Sequence, residues 1–101
     1  MEKVYLFTQT DSEIFENVFK TGDLLMNHVV IPVGKVFPKH QADADVYALI
    51  VRGVLSVAIE DREPKHYGAG RVLYMPKGTL AELGNRSSEL VELFVVKQHL
   101  D

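Results

Sequence analysis

From Leu24 onward the apolar residues of this chain fall into short β-branched and aromatic runs, each closed by glycine, proline or charged punctuation. Val46 to Val51, Val54 to Ile59, Val72 to Met75 and Leu90 to Val96 are the clearest. The breaks fall at Pro32-Val33-Gly34, Pro38, Gly53, Asp61-Arg62-Glu63-Pro64, Gly68-Ala69-Gly70, Pro76-Lys77-Gly78 and Gly84-Asn85. Turn signals spaced about 8 to 12 residues apart predict an all-β sandwich or barrel of short antiparallel strands. Because neighbouring positions in each run are apolar, one strand face meets an interior and the other a second sheet or subunit. Residues 1 to 22 read differently. Val4 to Phe7 is a short strand; Thr10 and Glu13 fit a capping box, and Ile14, Phe15, Val18 and Phe19 share one helical face, so a helical turn ended by Gly22 is predicted.

At 101 residues and 47% apolar composition the chain has material for one packed core, so residues 1 to 101 are read as a single domain with its barrel at about 24 to 97. The net charge of -3 gives no basic excess to follow a phosphate backbone or an anionic membrane, and neither nucleic acid nor membrane is expected as a partner. With no cysteine, disulfides, thiolate metal sites and cysteine nucleophiles drop out. MEKVYLFTQTDSE lacks the apolar region and cleavage site of a signal peptide, and no stretch reaches the roughly 20 apolar residues of a spanning helix. A cytoplasmic location is the expectation.

Two segments have a spacing that narrows the fold. Gly34 is followed five residues later by His40, and Gly53 closes that segment; Gly70, Pro76, Gly78 and Asn85 form a second frame. This resembles the paired motifs of the cupin superfamily, small β-barrels in which each motif supplies strand, turn and strand. The resemblance implies a cupin-like jelly roll. It also implies where metal ligands stand: two histidines and a glutamate in the first motif and a histidine in the second. Of these only His40 is present. Ala42, Val46 and Ala81 occupy the other three positions, with Asp45 beside Val46 but on the opposite face of a regular strand. The retained glycines suit positive φ at tight corners, Pro76 a rigid turn, and Asn85 a left-handed residue.

Alanine and valine offer no lone pairs, and one imidazole does not hold a divalent ion that normally needs three or four ligands. No metal and no other cofactor is therefore expected. With normal alternation Ala42, Val46, Ala48 and Ala81 line an apolar cavity with Ile50, and His40 is either its polar anchor or a histidine satisfied by a hydrogen bond at the barrel mouth. The expected site is thus His40, Ala42, Val46, Ala48 and Ala81, taking a small, partly apolar molecule, with no catalytic residue assigned. An alternative is an enzyme of the dioxygenase or isomerase type, either holding a metal through His28 and His40 with help from Asp43, Asp45 or Glu82, or using His40 as a metal-free acid-base group. A third is a dimeric interaction domain with a plugged barrel. His66 and His99 have no role in these readings; Tyr47, Tyr67, Tyr74, Met26 and Met75 suit core or interface, and Arg52 and Arg71 solvated strand ends. The two-sided apolar strands lead to an expected homodimer with two-fold symmetry.

Overall fold

Strand alternation and the turn residues between the runs place nine strands in the computed structural model, which describes residues 1 to 100. They are β1 (Ile14–Thr21), β2 (Leu24–Ile31), β3 (His40–Gln41), β4 (Asp45–Arg52), β5 (Val54–Ile59), β6 (Lys65–Gly68), β7 (Val72–Met75), β8 (Leu80–Gly84) and β9 (Val91–Gln98). One sheet has the order β1-β2-β9-β4-β7, the other β3-β8-β5-β6, and every pairing is antiparallel. The expected all-β cupin-like barrel is what the chain forms.

Period-two alternation sets the interior. Val29 and Ile31 of β2, Val46, Ala48 and Ile50 of β4, and Val91 and Leu93 of β9 project from the first sheet onto Leu55, Val57 and Ala81 of the second. Burying each such valine, leucine or isoleucine side chain contributes about 1.5 to 3 kcal/mol, so this two-sheet layer supplies most of the drive to fold.

Corners follow the retained motif positions. Gly34, Gly53, Gly70 and Gly78 all have positive φ, between 78° and 93°. Gly53 is the tightest: a Cβ there would stand 2.2 Å from the carbonyl oxygen of Leu90. Asn85 departs from expectation, because its φ is not positive and its side chain does the work instead. It is fully buried, its Nδ2 donates to the carbonyls of Ile31 (2.9 Å) and Glu89 (2.7 Å), and its Oδ1 accepts from the backbone N–H and hydroxyl of Ser87. Asn85 therefore staples the end of β2 to the loop before β9.

The predicted N-terminal helix is absent. Ile14 to Thr21 is a strand, and Gly22-Asp23 forms a two-residue hairpin loop to β2 with Gly22 at φ 55°. Two apolar doublets lie along it: Ile14 and Phe15 stand in regular register opposite Val30 and Val29 and face opposite sides of the sheet, while a register shift between Asn17 and Phe19 leaves Val18 as the extra residue of a bulge beside Phe19. Such doublets imitate a helical stripe. Thr10 accepts from Ser12 N–H at 3.0 Å and Glu13 pairs with Lys35 at 2.8 Å, so no capping box forms. Val4 to Phe7 also lies outside any ladder, and residues 1 to 13 run across the outer face of the five-stranded sheet as an irregular arm.

Candidate functional site

Between the two sheets lies a cavity of about 370 Å³. Its floor comes from Val29 and Ile31 of β2, Leu93 and Val95 of β9, Leu55 of β5 and Leu83 of β8. Its rim is made by Phe15, Phe37, Pro38 and His40, with the rings of Phe15 and Phe37 edge to face at 6.4 Å. Of all these lining residues only His40 has a polar side chain. A smaller lobe of about 130 Å³ adjoins it through the shared residues Phe15, His40, Leu83 and Val95, and is completed by Ala42, Val46, Met75 and Ala81 with the polar groups of Asn27, Thr79 and Lys97.

His40 belongs to the two-residue strand β3, where it stands opposite Ala81 of β8. That placement brings three of the four family ligand positions, His40, Ala42 and Ala81, together, and Val46 joins them on the wall of the smaller lobe. Ala48 does not: it is buried in the core and lines neither lobe. The His40 side chain is exposed, and among the described residues no protein group hydrogen-bonds its ring. The other polar groups near the smaller lobe are engaged: Lys97 donates to Asp43 (3.3 Å), Thr79 to the Pro76 carbonyl (2.6 Å), and Asn27 accepts from Asn17 (3.2 Å).

A divalent cation at the family position needs several lone pairs directed at one point. Ala42, Val46 and Ala81 supply none. Among the described residues no three histidine or carboxylate side chains converge closely enough to hold an ion. The donors present therefore do not fit a metal there. The substitute pair of His28 and His40 also fails, because alternation on β2 turns Asn27, Val29 and Ile31 inward and His28 outward. The carboxylates suggested as helpers have other partners: Asp43 accepts from Lys97, Asp45 from His99 (2.6 Å) and Lys77 N–H (2.9 Å), and Glu82 from Arg86 (2.5 Å). His99 thus has a partner that sequence did not foresee, and the hydrogen bond from it holds the Asp45 carboxyl below its ordinary value.

His28 instead centres a charged cluster on the outer face. It is fully buried, with Nδ1 2.8 Å from Glu16 and Nε2 2.6 Å from Glu92, between the rings of Phe7 and Phe94. Both contacts are hydrogen bonds to carboxylates only when both ring nitrogens carry protons. Arg52 Nε donates to Glu92 at 2.7 Å, and its guanidinium also reaches Asp11 (2.9 Å) and the Thr10 carbonyl (3.3 Å). Thr8 donates to Glu16 through its N–H and its hydroxyl, each at 2.8 Å. The Thr8 N–H and then His28 hold the Glu16 carboxyl below the usual carboxylate range. Burial pushes Glu92 up, but hydrogen bonds from His28 and Arg52 outweigh it and leave its carboxyl lowered. The cluster ties residues 8 to 11 of the arm to β1, β2, β4 and β9. Arg52 is therefore an anchored strand end, whereas Arg71 stays exposed, close to the Ala69 carbonyl. Tyr47 and Tyr74 stack at 5.0 Å on the outer face of β4 and β7, and Tyr67 packs on the core from β6.

Among the described residues no helix is long and apolar enough to cross a membrane. No protein-family model matches the chain. An uncharacterised protein of Methanocaldococcus jannaschii is 34% identical over 98 residues, 96% of this chain and 84% of that one. The crystal structure of that protein, described as an RmlC-like cupin with a double-stranded β-helix fold, superposes with a TM-score of 0.91 over 97% of this chain and 91% of the other, at 33% identity. A cupin superfamily protein of Desulfitobacterium hafniense matches with a TM-score of 0.76 at 10% identity, over 92% and 83% of the two chains. The DMSP lyase DddQ of Ruegeria pomeroyi matches with a TM-score of 0.74 at 20% identity, over 85% of this chain and 46% of that enzyme. At those last two identities the likeness is one of fold. With a third of its residues shared with a cupin over nearly the whole of both chains, and with the same two-sheet barrel, this chain belongs to the RmlC-like cupin family.

Proposed function

We propose that the protein binds a small, mostly apolar molecule between its two sheets, without a metal, and that His40 holds the polar end of that molecule at the rim. The observation behind this reading is the cavity of about 370 Å³ in which His40 is the one polar side chain and, among the described residues, has no hydrogen-bond partner. That volume is at the lower end of the range, about 300 to 1,000 Å³, that small-molecule pockets occupy. Apolar walls favour transfer of a ring or short chain out of water, and a rim imidazole gives such a ligand a direction. A plugged barrel is disfavoured by the open volume. Acid-base catalysis by His40 lacks a second group, since among the described residues no carboxylate or hydroxyl hydrogen-bonds its ring.

The experiment is a thermal-shift series with matched probes: toluene, phenol and benzoate, followed by titration calorimetry on those that shift. A ligand at 100 times its Kd stabilises the native state by about 2.7 kcal/mol, which a melt resolves easily. Phenol or benzoate is expected to bind the wild type and to weaken about tenfold or more against His40→Leu, with toluene unchanged. Equal affinity of benzoate for wild type and H40L removes the anchor; no shift by any probe removes the binding site.

A further inference from the structure

The alternation that fills the barrel with aliphatic side chains gives way to polar groups at one end. On β9 the inward side runs Val91, Leu93, Val95 and then Lys97, so a strand that opens in the core on a fully buried valine closes it on an ammonium group. On β2 the inward side runs Ile31, Val29 and Asn27. Antiparallel pairing sets Ile31 against Val91 and Asn27 against Val95, so both strands change from apolar to polar at the same end of the cavity. The smaller lobe lies at that end, where His40 and Thr79 complete its polar wall. Among the described residues no carboxylate lines either lobe.

Lys97 stands opposite Val46 in the pairing of β4 with β9. Its positive charge therefore enters the lobe walled by Ala42, Val46 and Ala81, where the motif's missing ligands would have held a cation. The Lys97 side chain is 24% exposed, and it meets Asp43 at 3.3 Å, longer than the roughly 2.7 to 2.9 Å of a tight ammonium-carboxylate bond. Asp43 is mostly exposed and lines neither lobe, so water screens this pair, and an ammonium has further hydrogens to give. Asn27 is 7% exposed; its Oδ1 accepts from Asn17 at 3.2 Å, and among the described residues its Nδ2 donates to no protein group. A buried amide N–H without an acceptor is costly, so the lobe is built for something that accepts. The Thr79 hydroxyl spends its hydrogen on the Pro76 carbonyl and leaves one oxygen against these donors.

Resting on the binding reading above, we propose that the ligand is a small carboxylate with an apolar body, its carboxylate in the smaller lobe on Lys97, Asn27 and His40 and its hydrocarbon in the larger lobe. A carboxylate is acceptor-only and takes several donors at once, which matches a wall of an ammonium, an amide and an imidazole. A neutral head leaves the ammonium without a counter-charge once the lobe is closed to water, and an amine sets like charges together. An inorganic anion leaves the larger, apolar lobe unfilled.

Titration calorimetry on the full chain with three compounds of one shape tests this: phenylacetate, phenylacetamide and phenethylammonium. Phenylacetate is expected to bind the wild type about tenfold or more tighter than the amide, the gain that a charged hydrogen-bond partner brings, and the ammonium compound to give no measurable binding. Lys97→Met is expected to cancel that preference, weakening phenylacetate about tenfold while the amide stays within about twofold, and Lys97→Arg to keep it. Equal affinity of phenylacetate and phenylacetamide for the wild type overturns the inference and leaves the apolar cavity standing, and this comparison needs no substitution to fold. A preference that survives in Lys97→Met, or binding of toluene with none of the three, overturns it in the same way. Silence from all three and from toluene removes the cavity reading and this inference with it.

Discussion

Replacing Gly53 by alanine, with Gly34→Ala as its control, separates backbone conformation from close packing at the corners of this barrel. Both glycines have positive φ, 78° and 86°, so alanine pays about 1 to 2 kcal/mol at either site for a left-handed backbone. Only Gly53 adds a collision. Its new Cβ would lie 2.2 Å from the Leu90 carbonyl oxygen and 3.1 Å from Val91 Cα, whereas nothing lies within 4 Å of the same atom at Gly34. Relief requires the backbone entering β9 to move by about an ångström, and Val91 there is fully buried in the core. Forcing such a shift costs about 1 to 3 kcal/mol more. The expected losses are therefore about 2 to 5 kcal/mol for Gly53→Ala against about 1 to 2 for Gly34→Ala. At roughly 4 to 8 °C per kcal/mol for a domain of this size, calorimetry resolves the difference, and urea midpoints with unchanged m-values confirm that stability alone has moved. Equal losses at the two sites would refute the argument that Gly53 is required by the approach of the chain before β9.

Three further outcomes follow from the polar groups and the family positions. Glu16 and Glu92 have lowered folded-state values, so their stabilisation is complete above the ordinary carboxylate value of 4.5 and disappears as pH falls through the lower folded values. Urea midpoints from pH 7 to pH 3 should drop less steeply in Glu92→Gln than in wild type, and parallel curves would remove Glu92 from the acid transition. Asn85→Ala strips the donors from the Ile31 and Glu89 carbonyls and should cost about 2 to 4 kcal/mol; a loss under about 1 kcal/mol would show that water replaces them. The triple variant Ala42→His, Val46→Glu, Ala81→His should take up cobalt(II) in a site shared with His40 and give its visible absorption bands. If it folds and stays colourless, these positions do not converge as described.

Much of the barrel is legible in the sequence because its strands are short, β-branched and closed by residues with fixed backbone meaning. Val46 to Val51, Val54 to Ile59 and Val72 to Met75 fall within a residue or so of the strands they predict, and Gly34, Gly53, Gly70 and Gly78 have the positive φ their spacing requires. The first strand is misread because its apolar residues come in two adjacent pairs, one with a side chain on each face of the sheet and one at a bulge, a pattern shared with one helical face; Thr21-Gly22-Asp23-Leu24 is the hairpin signal that would have corrected it. His40, Ala42, Val46 and Ala81 come together because family spacing fixes strand phase. Ala48 is inward too but lies too deep to reach a lobe. Long-range partners are the part that one-dimensional spacing does not hold. Nothing local to His28 reveals that Glu16 and Glu92 will flank it, nor that Phe15 and Phe37 will frame the rim.

The most direct test of a metal-free binding barrel is a methyl carbon-proton spectrum of the protein titrated with phenol. Saturable shifts should appear at Val29, Ile31, Leu55, Leu83 and Leu93, whose methyl groups form the cavity floor, and not at Val72 on the outer sheet face. Shifts that grow without saturation, or that concentrate on the outer face while the floor stays still, would contradict it.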